Sequence, residues 1–393
     1  MTVPFQPLYL KAEAVPNVPN GWTVSQINDI ADVLKSGRLY DENSVSQSGE
    51  IPVVNQSEAD FHGFHSDEPG VIATEDEPVA TFANHTCAMR LMKRPFSCIQ
   101  NIFSRVGRKG ICDTAFFYYA TLGRVTLAGY KGHHPIYRQA WIPLPPLQTQ
   151  IRIREILSGY DDMIENNRRR IALLEESARL LYREWFVRLR FPGHEHTRIV
   201  NGVPEGWRNL KLGDICTDNR EVVSPESLEP DTPYIGLEHM PRRSISLSDW
   251  GNAEQVTSSK LRFNTGDILF GKIRPYFHKV GIAFTDGVVS SDAFVICPTV
   301  EALKSFVLMT VSSDEFIANT SQAMKEGSKM PRADWKQMIQ YPVLLPPEGL
   351  LADFTETITS ITNQLRNLST QNQKLRTARD LLLPKLMSGE IGV

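Results

Sequence analysis

The sequence predicts an α+β protein: two similar mixed α/β globules separated by two long antiparallel coiled-coil helices, an internal repeat with pseudo-twofold character. Three observations predict it. Short motifs recur in the same order along the 393 residues. Each copy closes on a heptad pattern. The stretches ahead of those patterns mix short strand-like runs with Gly and Pro turn signals. The segments fall at residues 1–148, 149–190, 191–347 and 348–393, in the order globule, helix, globule, helix.

The repeat is read from paired motifs. Pro19-Asn20-Gly21-Trp22 with Ile27-Asn28-Asp29-Ile30 returns as Pro204-Glu205-Gly206-Trp207 with Leu212-Gly213-Asp214-Ile215. Ile51-Pro52-Val53-Val54 is echoed by Thr232-Pro233-Tyr234-Ile235, and Thr114-Ala115-Phe116 by Asp292-Ala293-Phe294. Ile142-Pro143-Leu144-Pro145-Pro146 is echoed by Val343-Leu344-Leu345-Pro346-Pro347. Within the globules, Ile51–Asn55, Ala115–Ala120, Asp267–Gly271, Gly281–Phe284 and Ala293–Cys297 are expected as strands. Gly202–Gly206 is expected as a linker.

After each Pro-Pro, apolar residues alternate at spacings of four and three. The first seam is Ile153, Leu157, Tyr160, Ile164, Asn167, Ile171, Leu174, Ala178, Leu181 and Trp185. The second is Phe354, Ile358, Ile361, Leu365, Leu368, Asn372, Leu375, Arg379, Leu382 and Leu386. At 1.5 Å per residue such helices reach roughly 50–60 Å. Asn167 and Asn372 sit where a polar seam residue fixes register. Pro384 is expected to break or kink the second helix, and Phe191-Pro192-Gly193 to end the first. Asp161-Asp162 is expected on a solvated helix face.

Composition bounds the function. Hydrophobic residues make up 41 % and charged residues 22 %, ordinary for a globular protein. No apolar run approaches the roughly 18 residues of a membrane span, and Met1–Phe5 does not open a secretion signal. The five cysteines are dispersed without a Cys-x-x-Cys pair, which points to a reduced, cytoplasmic protein. The net charge of −3 conceals segregation: residues 1–77 hold three basic and thirteen acidic side chains, residues 78–154 eleven basic and one acidic. Such segregation is an electrostatic footprint for nucleic acid. The alternative is internal pairing of the two surfaces.

No catalytic motif survives inspection: no phosphate loop, no dinucleotide fingerprint, no Asn/Asp-Pro-Pro-aromatic tetrapeptide. The His62/His65 and His133/His134 pairs lack partners at metal-ligand spacing. What remains is a vocabulary suited to DNA, with cations for phosphates and planar donors for base edges. In the first globule it comprises Arg90, Lys93, Arg94, Arg105, Arg108, Lys109, Lys131 and His133. In the second it comprises Lys272, Arg274, Tyr276, His278, Lys279, Lys325, Lys329 and Arg332. Base readers are expected among Arg90, Arg94, Arg105 and Lys131, and among Lys272, Arg274, Tyr276, Lys329 and Arg332.

With these residues in place, the chain resembles the specificity subunits of Type I restriction–modification systems. The resemblance rests on the Pro-x-Gly-Trp openings, on Gly327-Ser328-Lys329-Met330-Pro331 before Trp335, on Pro-Leu-Pro-Pro ahead of a long helix, and on the closing run Leu375–Ile391. The first half departs from it, with His133-His134-Pro135 in place of a Lys-Met-Pro loop. The resemblance implies a non-catalytic subunit with no cofactor of its own. Each globule would be a target-recognition domain reading half of a bipartite double-stranded DNA site, with the helices setting the gap. Its implied partners are two methyltransferase subunits carrying S-adenosylmethionine, and restriction motor–nuclease subunits using ATP and Mg. A scaffold whose globules bind other proteins, and a stand-alone enzyme such as a nuclease, are the competing readings. The acidic stretch Glu58–Glu77 is expected as a folded insertion facing away from DNA.

Overall fold

The computed structural model describes residues 14–57, 61–127, 132–322 and 330–393. They form two compact units, one made of Ile164–Lys374 and the other of residues up to Met163 with Leu375–Val393. Each unit therefore holds one globule and a stretch of both long helices.

In the N-terminal unit, an antiparallel sheet runs Ala31–Leu34, Ile102–Gly107, Val79–Ala83, Met89–Met92. Val79–Ala83 is buried at every position, as a central strand covered on both faces must be. A second sheet has Ile51–Val54 at its centre, antiparallel to Gly63–His65 and parallel to Ser97–Cys98. Thr23–Gln26 pairs antiparallel with Trp141–Leu144 immediately before the long helix.

The expected strand at Ala115–Ala120 is instead a helix, Thr114–Thr121. Asp113 caps it, its carboxylate accepting the Phe116 N–H at 2.8 Å, which satisfies one of the orphan donors of a helix start. Six of its eight residues are buried, so neither period marks an exposed face.

The other unit carries two five-stranded sheets. One runs Cys216–Asp218, Ala293–Pro298, Ile268–Gly271, Val280–Ala283, Ser246–Leu247. The second runs Val222–Val223, Lys260–Phe263, Gly287–Val289, Pro233–Ile235, Gly251–Asn252. Arg208–Lys211 pairs antiparallel with Pro342–Leu345, again just before a long helix.

The duplication is structural as well as textual. Gly21 and Gly206 both take φ 85°, and in each turn the Trp N–H donates to the Pro carbonyl at 3.1 Å (Trp22 to Pro19, Trp207 to Pro204). Left-handed backbone of this kind favours glycine. Like Ile51–Val54, Pro233–Ile235 has one antiparallel and one parallel neighbour. One echo fails: Thr114-Ala115-Phe116 opens a helix, whereas Ala293 and Phe294 lie in a central strand. The expected linker Gly202–Gly206 begins as one arm of a hairpin, Ile199–Val200 against Val203–Pro204. Its Asn201-Gly202 corner has φ 54° and 80°, the pair that a two-residue primed turn selects.

The first long helix spans Leu147–Tyr182 and ends in a π turn, Arg183–Val187, short of Phe191-Pro192-Gly193. Its buried stripe follows the heptad through Ile153, Leu157, Ile164 and Asn167, then steps on to Glu175, Ala178, Tyr182 and Phe186. Leu174, Leu181 and Trp185 are only half-buried. A straight helix drifts about 20° per heptad against a 3.5 repeat, and the stripe follows that drift. The second long helix, Glu348–Ser388, runs through Pro384; its seam is buried at Phe354, Ile358, Leu365, Leu368, Asn372 and Leu386, while Leu375, Arg379 and Leu382 are half-buried and Leu383 and Met387 enter the core instead. The expected break is absent because Pro384 lies in the last turns, where Leu383, Leu386 and Met387 are packed into the core with Ile153 and Leu157.

Polar seam residues meet partners. Asn167 donates to the Asn372 side-chain oxygen at 3.0 Å, and contacts such as Phe186 with Phe354 (4.7 Å between centroids) show that the helices run antiparallel in this unit. In the N-terminal unit Arg379 pairs with Asp161, which also accepts the Tyr119 hydroxyl at 2.7 Å. Asp162 pairs with Lys93 at 2.7 Å. The Asp161-Asp162 face is therefore bonded rather than merely solvated.

Candidate nucleic-acid interface

The first globule's cations divide by environment. Phe61 carries two guanidiniums over its ring, Arg90 at 4.6 Å and Arg94 at 5.5 Å. Arg90 is steadied by donating twice to the Ser57 carbonyl, at 3.1 and 2.7 Å, while Arg94 and Lys109 are exposed. Lys93 bridges Asp162 and Glu75; desolvation is the largest influence on its pKa and lowers it, but the two carboxylates outweigh it and the net shift is upward. Arg108 has its fork occupied by Asp32 at 2.9 Å and by the carbonyls of Asp29 and Asn28.

Two expected contacts lie inside. Arg105 is 1 % exposed and donates to the Ala31 carbonyl and the Asn28 side chain, both at 3.2 Å. Burial lowers its pKa. It is a core residue, because it projects from Ile102–Gly107 between sheet and helix layers. His133 is fully buried and hydrogen-bonds the Asn84 carbonyl through Nδ1 at 3.1 Å, holding the start of the helix His134–Gln139. Lys131 lies outside the described residues.

In the second globule the run from Lys272 to Lys279 connects Ile268–Gly271 to Val280–Ala283 through a 3-10 turn, Pro275–Phe277. Lys272 donates to the Ser291 carbonyl at 2.7 Å over the Phe294 ring, and burial lowers its pKa. Lys279 donates to the Leu237 carbonyl at 2.5 Å, and burial, then Arg242, lowers its pKa. Arg332 pairs with Asp292 at 2.7 Å. His278 is buried and donates from Nε2 to the Ser312 carbonyl at 2.7 Å, so it holds the turn rather than facing outward. Arg274 is half-buried and Tyr276 is 50 % exposed. Lys325 and Lys329 lie outside the described residues.

Sequence reasoning missed Arg242. Its guanidinium lies 4.0 Å over the Phe277 ring, whose surroundings also include Arg274 at 5.8 Å. Each globule thus carries an aromatic ring flanked by two guanidiniums, although the rings come from unrelated places in the repeat. The signal was present in Pro241-Arg242-Arg243, but it lies more than thirty residues from the loop it serves.

No family model matches the chain. It is 21 % identical over 427 aligned residues to the MjaIX Type I restriction enzyme specificity subunit of Methanocaldococcus jannaschii, covering 98 % of this chain and 96 % of that one. It is 22 % identical to the EcoDI Type I restriction enzyme specificity subunit of Escherichia coli, covering 84 % and 79 %. Among solved structures, the Type I restriction–modification S subunit from M. genitalium superposes with a TM-score of 0.57 at 16 % identity, over 95 % of this chain and 99 % of that one. Over nearly its whole length the chain is similar to Type I specificity subunits.

Among the described residues, Ser97 and His65 form a nucleophile-like pair whose hydrogen bonds disarm it. Ser97 Oγ lies 2.9 Å from His65 Nε2, the spacing of a serine and its base. His65 Nδ1, however, accepts the Asp67 N–H at 3.1 Å. The ring proton must then sit on Nε2 and point at Ser97, which also accepts the Gly70 N–H at 2.9 Å. That nitrogen cannot take the serine proton, and Ser97 is wholly buried. The cluster, with Tyr40 stacked on His65 at 4.1 Å, fastens the segment around Asp67 to the sheet. No helix among the described residues is long and apolar enough to cross a membrane.

Proposed function

We propose that this specificity subunit reads a bipartite double-stranded DNA site, one half per globule, and directs its partners to it. The observation that carries this is the duplication itself: the same Pro-x-Gly-Trp turn, the same strand pair and the same long helix serve both units. A duplicated reader suits a split target, since two recognition modules engage successive half-sites about one helical turn apart, roughly 34–36 Å. Rigid helices hold a fixed gap where a flexible linker would not.

The groups proposed to meet DNA are Arg90, Arg94 and Lys109 in the first globule and Arg242, Arg274 and Tyr276 in the second, joined by Lys131, Lys325 and Lys329. Lys93, Arg108, Lys272, Lys279 and Arg332 shape the surface through their internal bonds and add charge to it. Two methyltransferase subunits carrying S-adenosylmethionine modify an adenine in each half-site, where base flipping is their task. Motor–nuclease subunits using ATP and Mg join for cleavage. The cytoplasm is the proposed compartment, in keeping with five free thiols.

The test is genome-wide mapping of N6-methyladenine in a host expressing this chain with its methyltransferase, against deletion of this chain alone. One split motif that disappears on deletion is the expected result. Methylation unchanged by the deletion refutes the proposal and favours the scaffold reading.

A further inference from the structure

We propose that Tyr276 is a nucleobase-stacking side chain, delivered by a strained turn whose backbone is tied to the first long helix. The inference rests on the DNA-reading role proposed above and names the contact made there.

The turn Pro275–Phe277 is bracketed by Arg274 at φ 49° and His278 at φ 55°. Both are left-handed, a conformation that side-chain-bearing residues resist. Arg243, whose N–H donates to the His278 carbonyl at 3.0 Å, is itself at φ 55°. Three strained non-glycine residues thus converge on one surface turn, and such strain persists only where the surroundings over-determine it.

The surroundings do. The Arg274 N–H donates to the Pro331 carbonyl at 2.8 Å, and His278 to Ser312 at 2.7 Å. Behind the turn, Arg243 pairs with Asp314 at 2.5 Å, and its carbonyl accepts a bond from Arg179 of the long helix. One turn earlier on that helix, Glu175 Oε1 accepts four bonds from Ser244, Ile245 and Ser246 at 2.7–3.1 Å. The helix therefore grips segment 243–246, which grips the turn.

What this scaffold presents is specific. Pro275 and His278 are buried, Phe277 is partly covered by Arg242, and Tyr276 is left 50 % exposed. An exposed tyrosine alone is commonplace. Here it packs against Phe277, ring centroids 5.0 Å apart, and the guanidiniums of Arg242 and Arg274 lie over that neighbouring ring, an arrangement suited to a polyanion that also offers π-faces. Phosphate attraction would come from Arg242 and Arg274, and the ring would stack on a base face left open where the partner methyltransferase takes an adenine out of the duplex.

The experiment uses the full chain in complex with its methyltransferase and duplexes bearing the motif found by methylation mapping. Affinity is measured across a salt series for wild type, Tyr276→Ala, Tyr276→Phe and Arg242→Ala. Tyr276→Ala should weaken binding about 5- to 150-fold, the loss of one base–aromatic stack. Because a ring releases no counterions, the slope of log K against log salt should not change. Tyr276→Phe should bind within about twofold of wild type, and Arg242→Ala should reduce the slope by about 0.9. The proposal is overturned if Tyr276→Ala binds as wild type, or if Tyr276→Phe is as damaged as Tyr276→Ala, which would mean a hydroxyl contact. Loss of methyltransferase assembly in Tyr276→Ala would assign the ring to a protein partner and also overturn it. Wild-type complex that neither binds nor methylates the duplex would instead refute the DNA-reading role itself.

Discussion

Replacing Asp161 by leucine should destabilise the N-terminal unit by about 2–3 kcal/mol, while replacing Asp161 and Arg379 together should restore most of that loss. Asp161 accepts bonds from both Tyr119 and Arg379, and Arg379 also bonds Asp380 at 2.8 Å. Breaking a fully buried ion pair from one side costs about 3–5 kcal/mol, chiefly because a charge is left without its partner. Here the side chains of Arg379 and Asp161 retain 22 % and 30 % exposure and Arg379 keeps Asp380, so the lower part of that range is discounted further. Stranding the Tyr119 hydroxyl adds back about 1 kcal/mol. In the double leucine variant neither charge is left without its partner, and replacing such a pair by apolar side chains is often neutral or stabilising. The assay is thermal unfolding of the four proteins of the double-mutant cycle, followed by near-UV signal from the tyrosine-rich helix Thr114–Thr121. A coupling energy below about 0.5 kcal/mol would refute the reasoning, since independent sites agree to that margin.

Asn372→Leu alone should cost about 1–3 kcal/mol by leaving the buried Asn167 amide with only its long 3.4 Å bond to Gln371, whereas the double leucine variant should melt at or above wild type; differential scanning calorimetry distinguishes these. Burial, then Arg105 and Arg138, lowers the His134 pKa to about 4. The unfolded chain takes up that proton near pH 6.5 and the folded chain only near 4, so the N-terminal unit should lose stability as pH falls through this window and hold it above. His134→Phe should remove that part of the pH dependence when melting is compared at pH 7 and pH 5. Arg94→Ala should lower the salt slope of DNA binding by about 0.9, while Arg105→Met should leave the slope intact and lower the melting temperature; the reverse pattern would place Arg105 at DNA.

Most of the architecture was legible because it depends on local backbone chemistry and on period. Gly21 and Gly206 announce the same left-handed corner, and the paired Pro-Pro steps announce two helices. The helix Thr114–Thr121 was not legible, because a run buried on nearly all sides shows no period and its cap is a single aspartate. The contact residues were only half legible, for a different reason. Residues 78–112 look like an acid-free basic tract, yet Arg108 meets Asp32 across paired strands, and Lys93 meets Glu75 and Asp162. Internal pairing of the acidic and basic segments is thus realised in part, and local charge overstates the free surface. Arg105 shows the same limit: nothing in the sequence says which face of Ile102–Gly107 looks inward. Conversely, Arg242 reaches the Phe277 ring only through the folded chain.

The polar residues of the seams explain how a pair of long helices can keep one register. An apolar seam repeats every seven residues, so sliding by a heptad, about 10 Å, would still bury leucine against leucine. Such a slide would place Asn167 and Asn372 against apolar side chains, and would part Arg379 from Asp161 and Tyr119. Each displaced group would then be buried without a partner, at about 1–3 kcal/mol apiece and more for the charges. Glu175 adds a third lock of another kind: its carboxylate is saturated by Ser244, Ile245 and Ser246 of the globule, so the first helix cannot slide along that globule without losing all four bonds. One of these locks lies in the N-terminal unit and two in the other. A subunit proposed to measure the gap between half-sites needs that penalty against slippage more than it needs the extra stability that leucines at those positions would bring.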